Sequence, residues 1–332
     1  MPEIRQDPAT KGWVIIANNR VKRPRYFIKK QQKRSLPPYQ PSCPFCRGNE
    51  HLSSKEILRY PAEGSDWRVR VITNKYPALV PQDSTQQRQE VGFFTKMNGV
   101  GAHDVIVETP IHNRFISIME DHEVEELLTV YRERYNQLSR EPWVKLIIIF
   151  KNHGEAAGTS LIHPHSQLVA TPIVPAELRQ QFEVAIAHYN DTGRCLYQDI
   201  IDHELRAGER IVMDTEGFLV FHPFASRMPF ETWIVPKRGR ASFGSVPTKD
   251  LASLAQVLRT TLLKLYLSLN DPDFNYIIHT APAGDKSKDY YHWHIRIVPR
   301  LTSIAGFEIG SGMYINTVFP EETADFIRNF KL

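Results

Sequence analysis

The spacing of hydrophobic positions alternates along the chain between a helical and a strand-like period. Apolar residues recur every three or four positions over 121–138 and 249–269, which predicts two amphipathic helices. A third helix is predicted from Ala176 to Tyr189. Short apolar runs predict strands at 68–72, 104–108, 145–150, 218–221, 232–235, 275–278 and 292–298.

The order of these elements repeats in the second part of the chain. A shift of the sequence that places His163 on His292 also places His165 on His294 and superposes the two long helices. A repeat of this length is too long for a solenoid. The sequence therefore predicts an α+β fold with two duplicated halves, residues 1–176 and 177–332, each an antiparallel sheet with a packed helix.

Composition and charge narrow the classes of partner. The chain is 42% hydrophobic and 23% charged, as is typical of a folded soluble protein. Its net charge of +4 is compatible with small anionic substrates and does not require a nucleic acid. The basic run at 29–34 has few aromatic residues for base stacking and predicts a solvated arm. We therefore expect no nucleic-acid partner.

The sequence also indicates a compartment. No apolar run approaches the roughly 18–20 residues of a membrane span, and the N-terminus lacks the apolar core of a signal peptide. There are three cysteines, of which Cys43 and Cys46 are neighbours and Cys195 stands alone. This pattern does not resemble a disulfide framework. We expect a cytoplasmic protein with no membrane partner.

The segment Cys43-Pro44-Phe45-Cys46 has the spacing of a zinc knuckle, because two thiolates on one tight turn can share a metal ion. The alternative is a pair of free, buried cysteines. A tetrahedral zinc site needs two more ligands, and no second cysteine pair supplies them. Those ligands should be histidine or carboxylate side chains, and the candidates are His51, His103, His112, His153 and His163.

The segment His163-Pro164-His165-Ser166-Gln167 predicts a reaction site. In an extended chain its alternate side chains, His163, His165 and Gln167, share one face. His165 could be a general base, a metal ligand, a nucleophile or a packed core residue. A neutral imidazole is a competent nucleophile at phosphorus near pH 7.

Gln167 favours one kind of reaction. A glutamine cannot protonate a leaving group, but its amide can donate a hydrogen bond to a phosphoryl oxygen. It therefore suits a leaving group that needs no proton, such as a sugar phosphate. This favours transfer between phosphates over hydrolysis.

These motifs resemble the galactose-1-phosphate uridylyltransferase branch of the histidine-triad superfamily, and the resemblance covers nearly the whole chain. It implies that the two halves are histidine-triad units. His165 would be the nucleophile that carries a nucleotidyl group, with Gln167 beside it. The resemblance implies a structural zinc ion bound by Cys43, Cys46, His112 and His163. It implies substrate contacts from Arg20, Arg23, Asn74, Asn152 and Ser160.

The chain departs from the family pattern at two places. Some family members bind a second metal, iron, but the matching glutamate position falls on Gln181 and one matching histidine falls on Arg296. We therefore do not expect an iron site, and we interpret His279, His292 and His294 as a structural remnant of the duplication. The C-terminal segment at 306–314 is closer to the branch that includes ADP-glucose phosphorylase.

The resemblance implies a nucleotidyltransferase that acts on a nucleotide sugar and a sugar 1-phosphate, with a homodimer as the expected assembly. The first expectation is UDP-glucose:hexose-1-phosphate uridylyltransferase, with galactose 1-phosphate as acceptor. The alternatives are ADP-glucose phosphorylase, a dinucleoside-polyphosphate phosphorylase and a nucleotide-binding protein without catalysis.

Overall fold

The computed structural model describes residues 1–17, 23–28, 35–64, 66–81 and 88–332. The strands are β1 (Glu3–Gln6), β2 (Trp13–Ile16), β3 (Glu56–Tyr60), β4 (Val69–Thr73), β5 (Gln89–Val91), β6 (Phe94–Lys96), β7 (Ala102–Val107), β8 (Leu146–His153), β9 (His165–Thr171), β10 (Ile211–Asp214), β11 (Phe218–Phe221), β12 (Thr232–Pro236), β13 (Phe274–His279), β14 (His294–Pro299) and β15 (Tyr314–Asn316). The helices are α1 (Asp121–Leu138), α2 (Ala176–Thr192), α3 (Leu196–Ala207), α4 (Thr248–Ser268), α5 (Gly306–Ser311) and α6 (Pro320–Arg328).

One ten-stranded sheet runs through both halves in the order β10-β11-β12-β14-β13-β8-β9-β7-β4-β3. All neighbouring strands in it are antiparallel, and β8 pairs with β13 at its centre. Each half supplies three strands, a long helix and two more strands in the same spatial order. The predicted α+β fold with duplicated, histidine-triad-like halves is confirmed.

The two long helices pack together on one face of this sheet. The apolar stripe of α4 is buried as its spacing predicted, and α1 begins with a capping box of Glu120 and Glu123. Side chains from both helices and from the strands of both halves form one continuous core. The halves are therefore joined by packing as well as by strand pairing.

The opposite face is covered in two separate places. Helices α2 and α3 pack over the second half. In the first half, Phe45 from the cysteine loop and Trp67 from the segment between β3 and β4 pack over Val105 and Val107. Because β7 and β9 pair with Val107 opposite His165, the side chains of His165 and Gln167 share this face. The candidate site therefore lies beside the loop that carries Cys43 and Cys46.

The segment that links the halves differs from the prediction of a single helix over 176–189. It contains two helices, because Gly193 adopts a left-handed conformation with φ of 70° and ends α2. Strand β14 begins at His294 and not at the predicted residue 292. The boundary between residues 176 and 177 falls in the first turn of α2 and stays a prediction as a domain limit.

The terminal segments form a small additional sheet, which the sequence did not predict. Strand β2 pairs antiparallel with β1 and parallel with β15, so that the two ends of the chain meet. Among the described residues, none of the helices combines the length and hydropathy that a membrane span requires.

Candidate active site and metal cluster

Four buried side chains, two cysteines and two histidines, meet at the edge of the site. One ligand atom from each lies within 4.8 Å of the others, and the four residues are Cys43, Cys46, His112 and His163. The Sγ of Cys46 lies 3.5 Å from Nδ1 of His112 and 3.6 Å from Nδ1 of His163. Zinc bonds of about 2.3 Å to sulfur and about 2.0 Å to nitrogen separate such atoms by about 3.5 Å in a tetrahedron. The cluster therefore fits a tetrahedral metal ion.

The loop around the cysteines is ordered by Asn49. Its amide nitrogen lies 3.2, 3.0 and 2.9 Å from the main-chain carbonyl oxygens of Gln40, Pro41 and Cys43, which share its two hydrogens. Burial raises the pKa of the Cys43 thiol to about 11, so the thiol is neutral without a cation. A bound divalent cation would favour the thiolate.

His163 faces the cluster with one ring nitrogen and the protein with the other. Its Nε2–H donates to the carbonyl of Thr109 over 2.7 Å, which leaves Nδ1 unprotonated toward Cys46. Burial lowers the pKa of His163 to about 3, so the ring is neutral, as a metal ligand must be. His163 is therefore a neutral imidazole whose unprotonated Nδ1 faces the cluster.

The main-chain carbonyl of His163 fixes the tautomer of His165. The Nδ1–H of His165 donates to that carbonyl over 2.8 Å, so the lone pair of the ring is on Nε2. Burial lowers the pKa of His165, which keeps the ring neutral near pH 7. Phe45, from the loop between the cysteines, packs edge-on against the His165 ring at 5.4 Å between centroids. His165 is therefore a neutral, oriented imidazole.

A buried polar network lies behind His165, on the helix side of the sheet. Lys151 donates to Glu108 over 2.6 Å and to the carbonyl of His165 over 3.2 Å. The main-chain N–H of Glu108 donates to the carbonyl of Pro164 over 3.1 Å. The sequence analysis did not predict this pair. The available signal is Lys151 itself, a charged residue that directly follows the apolar run 146–150.

The amide groups around His165 each have their oxygen held by a donor. Asn152 accepts from Asn275 over 2.8 Å, and Gln167 accepts from His103 over 2.8 Å. Asn74 accepts from the main-chain N–H of Tyr76 over 2.8 Å. Their amide N–H groups suit phosphate or ribose oxygens.

The other candidate metal ligands lie away from the cysteine–histidine cluster. His51 is exposed, His103 contacts Gln167, and His153 pairs with Asp271 at 3.0 Å, so these three histidines lie outside the cysteine cluster. Ser160 is exposed in the loop that precedes His163.

The arginine arm is described only in part. Arg20 lies outside the described residues. Arg23 is exposed and precedes a short 3-10 turn, Pro24–Phe27. Phe27 at the end of that turn packs against Phe230 of the second half, with 5.9 Å between ring centroids. Arg23 makes no hydrogen bond to the described residues around His165.

The second half repeats the main-chain hydrogen bond of His165, but its histidine is covered by aromatic rings on both faces. The Nδ1–H of His294 donates to the carbonyl of His292 over 3.2 Å. The His294 ring is stacked between Trp233 and His279, at centroid distances of 4.6 and 4.8 Å. His294 is 2% exposed. Aromatic rings therefore fill the position that corresponds to the site.

Comparison with known proteins identifies relatives of the whole chain. The family model for the N-terminal domain of galactose-1-phosphate uridyl transferase matches residues 1–175, and the model for its C-terminal domain matches residues 177–328. The chain is 37% identical to ADP-glucose phosphorylase from Arabidopsis thaliana, covering 100% of this chain and 93% of that protein. It is 30% identical to galactose-1-phosphate uridylyltransferase from Thermotoga maritima, covering 99% and 98%.

A solved structure agrees with this similarity. The crystal structure of an ADP-glucose phosphorylase from Arabidopsis thaliana with bound ADP-glucose superposes with a TM-score of 0.86 at 35% identity. The superposition covers 100% of both chains. The similarity therefore extends over both halves and not only over the His163–His165 segment.

Proposed function

The chain belongs to the galactose-1-phosphate uridyl transferase family of nucleotidyltransferases, and we propose that it transfers a nucleotidyl group from a nucleotide sugar through His165. The observation that carries this proposal is the 2.8 Å hydrogen bond from His165 Nδ1–H to the carbonyl of His163. It leaves Nε2 of His165 unprotonated and therefore able to act as a nucleophile.

In the first half-reaction, Nε2 of His165 attacks the α-phosphorus of the nucleotide sugar. A phosphorus–nitrogen bond forms, the bond from the α-phosphorus to the bridging oxygen breaks, and sugar 1-phosphate leaves with the electron pair. The ring gains positive charge, which its Nδ1–H shares with the His163 carbonyl. Sugar 1-phosphate leaves as an anion without a proton, so the reaction needs no general acid at the position of Gln167.

In the second half-reaction, an oxygen of phosphate or of a second sugar 1-phosphate attacks the nucleotidyl group on His165. The phosphorus–nitrogen bond breaks and its electrons return to Nε2. The amides of Gln167, Asn152 and Asn74 serve both steps, because they donate to phosphate or ribose oxygens in both directions. Ser160 and the arginines Arg20 and Arg23 complete the proposed substrate contacts.

Zinc is the metal that we propose for the cysteine–histidine cluster. Two thiolates and two imidazoles are a preferred donor set for structural zinc, and the spacing of the ligand atoms fits its tetrahedron. With all four positions taken by protein, the site has no place for substrate. The role of Cys43, Cys46, His112 and His163 is then to fix the main chain that orients His165.

The nucleotide base and the acceptor define two versions of the proposal. Phosphorolysis of ADP-glucose is supported by the 37% identity to the Arabidopsis ADP-glucose phosphorylase. Uridylyl transfer from UDP-glucose to galactose 1-phosphate is supported by the 30% identity to the Thermotoga enzyme. Both versions use the same nucleophile.

A substrate panel tests the proposal and separates the two versions. The protein is incubated with UDP-glucose or ADP-glucose, and the released glucose 1-phosphate and the mass of the protein are measured. Phosphate and galactose 1-phosphate are then added separately to discharge the label. Adenylyl label discharged by phosphate supports phosphorolysis, and uridylyl label discharged by galactose 1-phosphate supports the transferase. No label from either nucleotide sugar would contradict the covalent mechanism.

A further inference from the structure

His103 connects two segments of the candidate site. Its Nε2 lies 2.8 Å from Oε1 of Gln167, and its Nδ1 lies 3.0 Å from the main-chain nitrogen of Ala78. Its carbonyl accepts from the main-chain N–H of Asn74 over 2.9 Å. One residue of β7 therefore contacts both the loop at 74–78 and the strand that carries His165.

These contacts determine the tautomer of His103. A main-chain N–H can only donate, so Nδ1, which faces Ala78, is unprotonated. In the neutral ring the proton is then on Nε2, which can only donate to Gln167. The Gln167 oxygen is consequently turned toward His103, and its amide hydrogens are left for other partners.

Asn74 is oriented in a related way. Its oxygen accepts from the main-chain N–H of Tyr76, so its amide nitrogen is the atom that lies 3.1 Å from Nε2 of His103. Since Nε2 carries a proton, it cannot accept from that amide. The amide hydrogens of Asn74 are also available to a ligand.

Close packing holds the loop against β7. A Cβ added to Gly101 would lie 2.5 Å from the carbonyl oxygen of Ala170 and 2.7 Å from Cδ1 of Leu79. Gly101 also donates its N–H to the carbonyl of Val80 over 3.0 Å. Because a side chain does not fit at Gly101, the loop can approach β7 closely enough for Ala78 to reach the His103 ring.

We infer that His103 is a positioning residue for the nucleotidyl transfer proposed above. It fixes the Gln167 amide so that its N–H groups face the α-phosphate, whose oxygens gain charge as His165 attacks. His103 does not touch the reacting atoms. Through Ala78 and Asn74, it also ties the orientation of Gln167 to the placement of the loop at 74–78.

A double-mutant cycle on the rate of nucleotidyl labelling tests this inference, which rests on the proposed function. Labelling by saturating UDP-glucose or ADP-glucose is followed for His103→Leu, Gln167→Ala and the double variant. We expect loss of about 100-fold for Gln167→Ala and about tenfold for His103→Leu. Because His103 acts through Gln167, the double variant should be no slower than Gln167→Ala alone.

Two conservative variants provide matched controls. His103→Gln keeps an N–H near the position of Nε2 and should retain most of the labelling rate, whereas the shorter His103→Asn should lose it as His103→Leu does. Equal metal content and thermal midpoints confirm that the compared variants are folded. A role of His103 in general stability would not separate glutamine from asparagine in this order.

Other outcomes would contradict either the positioning role of His103 or the proposed nucleotidyl transfer itself. Wild-type labelling with multiplicative losses in the double variant, or an unchanged rate in His103→Leu, would overturn the inference and leave the proposed function intact. Equal rates in His103→Gln and His103→Asn would also overturn it. Absence of label in the wild-type protein would instead overturn the proposed function, and the positioning role with it.

Discussion

Lys151 and Glu108 form an ion pair directly behind the strand that carries His165, with 2.6 Å between Nζ and Oε2. Both side chains are at most 2% exposed. Lys151 also binds the carbonyl of His165, and the Glu108 N–H binds the carbonyl of Pro164. The pair therefore holds the main chain on the side opposite the metal cluster.

Removal of one partner should destabilise the protein strongly. Lys151→Met leaves the Glu108 carboxylate buried without a countercharge, and we expect a loss of about 3–5 kcal/mol in the free energy of unfolding. Urea denaturation measures this free energy of unfolding. The double variant Lys151→Met/Glu108→Leu should recover most of this loss, because no buried charge remains. A loss below about 1 kcal/mol in the single variant would contradict the importance of the pair.

Metal removal should affect both stability and labelling. We expect one zinc ion per chain by elemental analysis, and loss of the metal in Cys46→Ser with a lower midpoint of thermal unfolding. Labelling of His165 should fall as well, because His163 is both a proposed ligand of the metal and the acceptor of the hydrogen bond from His165. Cys195→Ser, outside the cluster, is the control and should keep the metal. Full metal content in Cys46→Ser would refute the proposed ligand set.

The second half should contribute to the site through Asn275. Asn275 donates to Asn152 over 2.8 Å and to the carbonyl of Ala157 over 2.9 Å. Asn275→Ala should slow labelling about tenfold, the value of one hydrogen bond that orients the proposed phosphate-binding amide of Asn152, while the metal content stays unchanged. Asn136→Ala removes a comparable hydrogen bond, from the Asn136 amide to the main-chain carbonyl of Gly244, and serves as the control. Equal labelling rates in the two variants would exclude this contribution.

Acid should weaken the junction between the two ends of the chain at Glu321. Burial acts to raise the pKa of Glu321, but its own backbone amide, Arg210 and Arg5 outweigh it, so the pKa lies below its usual value. The ionised form therefore stabilises the fold above the pKa of the unfolded chain, and this stability is lost as pH falls through the folded pKa.

The measurement is the pH dependence of urea denaturation. Glu321→Gln should lose about 1.5 kcal/mol at neutral pH and show a smaller further loss in acid than the wild type. The exposed neighbour Glu322 supplies the control, and Glu322→Gln should follow the wild-type curve. Parallel acid curves for Glu321→Gln and the wild type would show that this carboxylate is not the responsive group.

The sequence predicted the elements that carry strong periodicity. The limits 121–138 of α1 agree with the structure, and the duplication predicted that His165 and His294 are equivalent, which the structure shows at the starts of β9 and β14. These predictions succeeded because buried faces impose a period on the sequence. The short strands β1, β2, β3, β5, β6, β10 and β15 were not predicted, since three to five residues carry little periodic signal.

The contacts around His165 could be predicted only in part. The cluster of Cys43, Cys46, His112 and His163 followed from a family resemblance, and the structure brings these residues together. The roles of His103 and Lys151 were not predicted, because each depends on a neighbour that is distant in sequence. His103 meets Gln167 across β7 and β9, and only the register of those strands makes the pair.

The position of the nucleotidyl group tests directly whether His165 is the nucleophile. Wild-type protein and His165→Gly are incubated with UDP-glucose or ADP-glucose without acceptor, and peptide mass mapping locates the label. We expect one nucleotidyl group on His165 for each glucose 1-phosphate released, and none in His165→Gly. Label on another residue such as His294, or continued transfer by His165→Gly, would contradict it.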